Sequence, residues 1–234
     1  MLQKLVHMIK KESFAFLKKL EKNNDREWFL NHKSEYLAAN ENMISFIEAL
    51  LELLNKHDKI ANTSGRQSMY RIYRDVRFSK NKKPYHTCLS AGFKRATKYL
   101  RGSYYVQIAP GNSYVMGGFW GPNPQDMDLI RKDISFDFQA WEKLLNTKKI
   151  KDNFGALRGE QLISAPRGFA KDDPGIKFLR YKQFLLRKDF KDKEVLSPDF
   201  LNQVNTSFKN MRPFLDYMSE ILSTDPNGIP MNEG

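Results

Sequence analysis

Apolar positions along the chain change period, and the changes mark out its elements. Phe14, Phe16, Leu17 and Leu20 fall on one side of a short helix, with Ser13 ahead of them as the expected N-cap. Asn23 and Asn24 end that run. Asn24 with Glu27 three residues later has the form of a capping box, and Trp28, Tyr36, Met43, Ile47, Leu50 and Leu54 then recur mostly at helical spacing. The pattern predicts a long amphipathic helix from about Asp25 to Lys56, bent near Ala39 to Asn42, so that N-terminal helices fill about residues 13–57.

From Ser64 the period becomes two, and aromatic and β-branched residues replace leucine, which predicts a sheet region over about 66–120. Tyr70 to Phe78 reads as a strand with Ile72, Arg74, Val76 and Phe78 on one face and Arg71, Tyr73, Asp75 and Arg77 on the other. Thr87–Phe93 and Ser103–Ala109 are two further candidates. After the second of these, Pro110-Gly111 suits a type II turn into Tyr114, Met116 and Phe119, because proline presets one dihedral and glycine accepts the positive one. Gly117 and Gly118 in that arm predict a bulge or a close approach.

Helices return over about 123–156, opened by Asn123 as cap with Pro124 in the first turn, and continued after Asp137 as a second cap. A loop-rich segment covers about 157–175. The C-terminal helix, about 198–223, carries Val204, Phe208, Met211, Leu215, Met218 and Leu222 in alternating steps of four and three, with Pro213 expected to kink it and the tail from Asp225 expected to be loose. Together these elements predict an α+β fold. It is expected as a single compact domain over 1–234, with a mainly antiparallel central sheet (about residues 68–120, plus later strands) packed by the long N-terminal and C-terminal helices.

Composition limits what such a domain does. With 234 residues, 41% of them hydrophobic, the chain is long enough to bury a core, and its single cysteine, Cys88, excludes an internal disulfide framework. No membrane span is expected, and Met1 to Ser13 carries Lys4, Lys10, Lys11 and Glu12 instead of a signal-peptide apolar core, which points to a cytoplasmic protein. The net charge of +12 is concentrated. Arg66 to Arg101 holds eleven basic residues against Asp75 alone, a net +10, while the rest of the chain has 28 basic and 26 acidic residues. Such a segment attracts anions.

The common phosphate-loop, dinucleotide, zinc-protease and serine-hydrolase motifs are missing, and His7, His32, His57 and His86 are too scattered to suggest a metal site. The sequence specifies no cofactor and no oligomeric state. Its strongest constellation is Arg71, Arg74, Arg77, Lys80, Lys83 and Tyr85, where guanidinium forks, ammonium groups and a phenol suit a phosphate or carboxylate. Arg74, on the apolar face of the expected strand, requires either a carboxylate partner or a ligand. Asp75 is the candidate base, but three neighbouring arginines should lower its pKa, which favours binding over catalysis.

Three readings follow from these residues. The first is a site for a small phosphorylated or carboxylated ligand. The second is nucleic-acid binding by a basic sheet face, with Tyr73, Tyr85, Tyr99, Tyr104 and Tyr105 available for stacking. The third is an interaction module without a ligand, in which the arginines pair internally with acids such as Asp25, Glu27, Asp126 or Asp133.

The set Asn24-Asp25-Arg26-Glu27-Trp28-Phe29, Tyr73-Arg74-Asp75-Val76-Arg77-Phe78-Ser79-Lys80 with Lys83-Pro84-Tyr85, and Tyr104-Tyr105 before Pro110-Gly111 resembles the family catalogued as domain of unknown function 2461. Gly117-Gly118 with Trp120, Ile130-Arg131, Pro166-Arg167-Gly168 and Met211-Arg212-Pro213 fit the same family, so the resemblance runs over nearly the whole chain. It implies one compact α+β domain and supplies no catalytic residues.

Overall fold

A computed structural model describes residues 7–224; the tail from Asp225 lies outside the described residues. The longer elements, in chain order, are α1 (Lys11–Lys22), α2 (Arg26–Asn31), α3 (Lys33–Asn55), β1 (Leu89–Lys94), β2 (Ser103–Ile108), β3 (Ser113–Phe119), α4 (Pro124–Phe136), α5 (Phe138–Leu145), α6 (Lys148–Phe154), β4 (Phe184–Phe190) and α7 (Phe200–Ser223). The four strands form one antiparallel sheet in the order β1-β2-β3-β4, so the fold is α+β. Among the described residues no helix is long and apolar enough to cross a membrane. The chain divides into two units. One comprises the chain through Phe93 with Tyr105–Val115 and Asp189–Thr206, and the other comprises Lys94–Tyr104, Met116–Lys188 and the chain from Ser207.

In the first unit, α1 packs along α3, and Leu17, Leu20, Phe46, Ile47 and Leu50 are buried between them. Phe46 stacks on Phe200 with centroids 5.4 Å apart, and Phe190 meets Phe200 edge-on. Ser13 does not cap α1, which begins at Lys11. Its hydroxyl donates instead to the buried Asn42 Oδ1 at 2.9 Å, and Asn42 also accepts from the Lys10 N–H at 2.9 Å. The long helix expected from Asp25 to Lys56 is broken at His32, earlier than the bend expected near Ala39. His32 Nδ1–H donates to the Trp28 carbonyl at 2.8 Å and its ring stacks on Trp28 at 4.0 Å, so the side chain competes for an acceptor that the helix would use.

The hairpin expected around Pro110-Gly111 is present, with Gly111 at φ 72° and the Asn112 N–H donating to the Ala109 carbonyl at 3.0 Å. The strand expected over Tyr70–Phe78 is not. That stretch makes one isolated bridge, at Tyr73, with another at Met69 just before it, and Phe78 is 97% exposed. An alternating pattern forms a strand when one face is buried, and here only Ile72 is.

The second unit is centred on Trp141, which has no exposed surface and lies 5.6–6.5 Å from the rings of Phe178, Phe184, Phe214 and Tyr217. Its indole N–H donates to Asp133 at 2.7 Å, and the Tyr217 hydroxyl donates to the same oxygen at 3.1 Å. Burial pushes the Asp133 carboxyl above its ordinary range. Asn123 and Asp137 cap α4 and α5 as expected, each accepting a backbone N–H. Gly118 has φ 139°, and a Cβ there would run into the Phe184 carbonyl, so β3 passes β4 at a distance only glycine allows.

Candidate anion-binding site

Residues 71–85 form a narrow two-armed loop instead of a strand. Tyr73 and Tyr85 bridge antiparallel, the Arg74 N–H donates to the Pro84 carbonyl at 2.8 Å, and the His86 N–H donates to the Ile72 carbonyl at 2.7 Å. Proline at 84 has no N–H to return, so the ladder stops there. The base of the loop is fixed to α2 by Asn24, whose side chain donates to the Tyr85 carbonyl at 2.9 Å and accepts from the Tyr85 N–H at 3.1 Å. Asn24 therefore does not cap α2; Asp25 does, accepting from the Trp28 N–H at 2.9 Å.

The tip is closed by its own cations. Arg74 donates to the Lys83 carbonyl at 2.9 Å and to Ser79 Oγ at 3.4 Å, while Lys82 Nζ donates to the carbonyls of Val76 and Arg77 at 3.1 and 3.4 Å. Arg77 grips Asp75 with Nε and Nη2 at 2.7–3.2 Å. These bonds, reinforced by the Arg77 backbone N–H and by Arg71 nearby, hold the Asp75 carboxyl below the usual carboxylate range. Asp75 is thus a fixed anion in an exposed ion pair, a poor acceptor for a substrate proton.

Of the six residues expected to bind a ligand, the structure therefore commits Arg74 to loop carbonyl and hydroxyl groups and Arg77 to Asp75. Arg71, Lys80 and Lys83 are exposed, and among the described residues their side chains form no hydrogen bond or ion pair. Tyr85 is buried, stacked on Phe29 with centroids 4.0 Å apart. Arg74 does not sit on an apolar sheet face, and in place of the carboxylate partner or ligand expected there it bonds the loop backbone.

Two residues absent from the expected set join the site. Tyr73 and Tyr36 approach Phe29 at 5.9 and 5.1 Å, which groups three phenols around one buried ring. Burial first, then the neighbouring Tyr73 phenol, raises the pKa of both Tyr36 and Tyr85. Tyr36 and Tyr85 are thereby held protonated as donors, and among the described residues none of the three hydroxyls has a hydrogen-bond partner. Tyr36 lies on α3, 37 residues before Tyr73, and no local spacing in the sequence signals the pairing. Partial desolvation, then the nearby Arg74, lowers the His86 pKa. Cys88 is half-buried, and desolvation pushes its thiol up to about 11, away from reactivity.

The remaining charge of the basic segment is largely neutralised elsewhere. Arg66 pairs with Glu41 at 2.6 Å, Arg101 pairs with Asp126, and the fully buried Arg95 pairs with Asp216 and donates to Ser219 Oγ at 3.1 Å. Asp126 is thereby taken, and among the described residues none of Asp25, Glu27 and Asp133 forms an ion pair with Arg71, Arg74 or Arg77. The excess positive charge falls on the loop, which has six basic residues and one acidic one between Arg71 and Tyr85.

Fold and site define an α+β protein with an exposed basic loop beside a tyrosine cluster. Residues 12–217 match the model of the family described as "Conserved hypothetical protein (DUF2461)", and the chain belongs to that family. No curated protein and no solved structure gives a significant match.

Proposed function

We propose that this protein binds a phosphate- or carboxylate-bearing ligand in the cytoplasm through the loop 71–85. The observation that carries the reading is the excess charge: among the described residues Arg71, Lys80 and Lys83 stand exposed with no hydrogen bond or ion pair, on a loop whose backbone is already held by Arg74 and Lys82. Cations that stabilise the fold are spent on carbonyls and carboxylates; these three are available to an anion. The hydroxyls of Tyr36, Tyr73 and Tyr85 add neutral donors. With Asp75 locked to Arg77, the site is one for binding and not for proton transfer.

The test is a thermal-shift series with phosphate, sulfate, nucleotides, sugar phosphates, dicarboxylates and inorganic polyphosphate, on the natural protein and on Lys80→Gln/Lys83→Gln. A ligand at about 100 times its dissociation constant adds about 2.7 kcal/mol of stability. Stabilisation of the natural protein that the double variant loses, while melting normally without ligand, supports the reading. Equal responses from both proteins, or none from either, remove it.

A further inference from the structure

Tyr70, immediately before the basic loop, donates its N–H to the Ser90 carbonyl at 2.9 Å and lays its ring across β1. The strand residue beneath is Gly92, where a Cβ would meet the Tyr70 hydroxyl at 2.6 Å and the ring at 3.1 Å. The ring is 58% exposed. Its neighbour is Tyr105 on β2, with centroids 5.9 Å apart, and the next is Tyr114 on β3, a further 5.7 Å on. Three tyrosines thus form a row over one face of β1–β3, with Tyr105 and Tyr114 half-buried and the Tyr105 hydroxyl fixed by donating to Gln107 at 3.1 Å. The row lies on the side opposite the buried Leu89, Ala91, Val106 and Ile108.

Accepting the anion-binding reading of the loop, we propose that its ligand is a single-stranded nucleic acid, whose bases stack on Tyr70, Tyr105 and Tyr114 while its phosphates meet Arg71, Lys80 and Lys83. Charge selects a polyanion, because the row begins one residue before the uncompensated cations. Aromatic rings on an open sheet face select accessible base faces. The spacing selects a single strand: 5.7–5.9 Å between rings exceeds the roughly 3.4 Å rise of stacked bases in a duplex strand, so the rings suit bases drawn apart. Phe78, 97% exposed at the loop tip with the Arg77 guanidinium 6.0 Å from its ring, adds another stacking face among the cations.

The experiment is fluorescence anisotropy with a labelled mixed-sequence oligonucleotide, in competition with its duplex form and with inorganic polyphosphate, at low and moderate salt. The proteins are the natural chain, Tyr70→Ala, Tyr70→Trp, Tyr114→Ala and Lys80→Gln/Lys83→Gln, each checked by thermal melting. Expected results are single-strand binding weakened at least about fivefold by either alanine substitution, retained by Tyr70→Trp, and polyphosphate binding unchanged by all three. If polyphosphate binds and the lysine variant abolishes it, but tyrosine variants change oligonucleotide affinity less than twofold or duplex competes equally, the single-strand assignment fails and the anion-binding loop stands. If neither oligonucleotide nor polyphosphate binds, the single-strand assignment fails, and if no small anion of the thermal-shift series stabilises the natural protein either, the anion-binding reading fails with it.

Discussion

The side-chain amide of Asn24 satisfies both backbone polar groups of Tyr85, 61 residues away, as a neighbouring strand would. This contact holds the second arm of the basic loop against α2 and so sets where Tyr85 meets Phe29. Replacing Asn24 with Ala leaves a partly buried N–H and C=O unpaired, at a cost of about 1–3 kcal/mol. Urea denaturation should show that loss. Asn24→Asp, which accepts but cannot donate, should fall between the two proteins.

Asp75→Asn separates binding from proton transfer. If Asp75 only neutralises Arg77, removing its charge frees a fourth cation, tightens binding of a single-stranded oligonucleotide and steepens the salt dependence by about 0.7 in the log–log slope. Weaker binding would show that the carboxylate itself contacts the ligand. A salt titration by anisotropy reads both quantities.

Burial holds the Asp133 pKa above its ordinary value, so between the two values the folded chain keeps a proton that the unfolded chain has lost. Stability from this group therefore falls as pH rises through that interval. Asp133→Asn keeps an acceptor for Trp141 and Tyr217 and carries no charge. Relative to the natural protein, its melting temperature should gain from about pH 4 to pH 7; a constant difference would refute the assignment.

Arg95 has a side chain with no exposed surface, bound to Asp216, Ser219 and the Arg101 carbonyl. Asp216→Ala leaves that guanidinium buried without its carboxylate, and the expected loss is about 3 kcal/mol. Oligonucleotide affinity in the surviving folded fraction should be unchanged, because this arginine belongs to the fold. Denaturation and anisotropy on one preparation decide it.

Gly118→Ala should be among the most damaging single substitutions. It adds a Cβ against the Phe184 carbonyl at φ 139°, where the backbone has no lateral freedom. A loss of at least about 2 kcal/mol is expected, measured as a shift of the urea midpoint.

The elements that could be read in the sequence are those whose pattern reports burial. All six residues of the α7 stripe, Val204 to Leu222, are buried, and the Pro110-Gly111 hairpin forms because turn chemistry is local. Tyr70–Phe78 misled for the complementary reason: Val76 and Phe78 keep the alternation of a strand without a core to face. The cations of the site were legible by type and spacing. Which of them were spent was not, since Arg95 finds Asp216 and Arg101 finds Asp126 through the fold alone. The out-facing Tyr105 and Tyr114 left a trace in the period-two pattern, whereas Tyr36 and Asn24 read only as helix stripe and helix cap, and their contacts with Phe29 and Tyr85 left none.

The exposed loop tip has a practical side. Arg77, Lys80 and Lys82 each precede a bond of the kind trypsin cuts, while Lys83 is shielded by Pro84. Arg74, by contrast, is tied into the loop backbone. Brief digestion should nick the chain within a few residues at this tip, giving an N-terminal fragment of about 80 residues. On the proposed reading a polyanion would cover Lys80 at this tip, so the rate of nicking there doubles as a label-free gauge of occupancy, readable on a gel before any ligand has been identified.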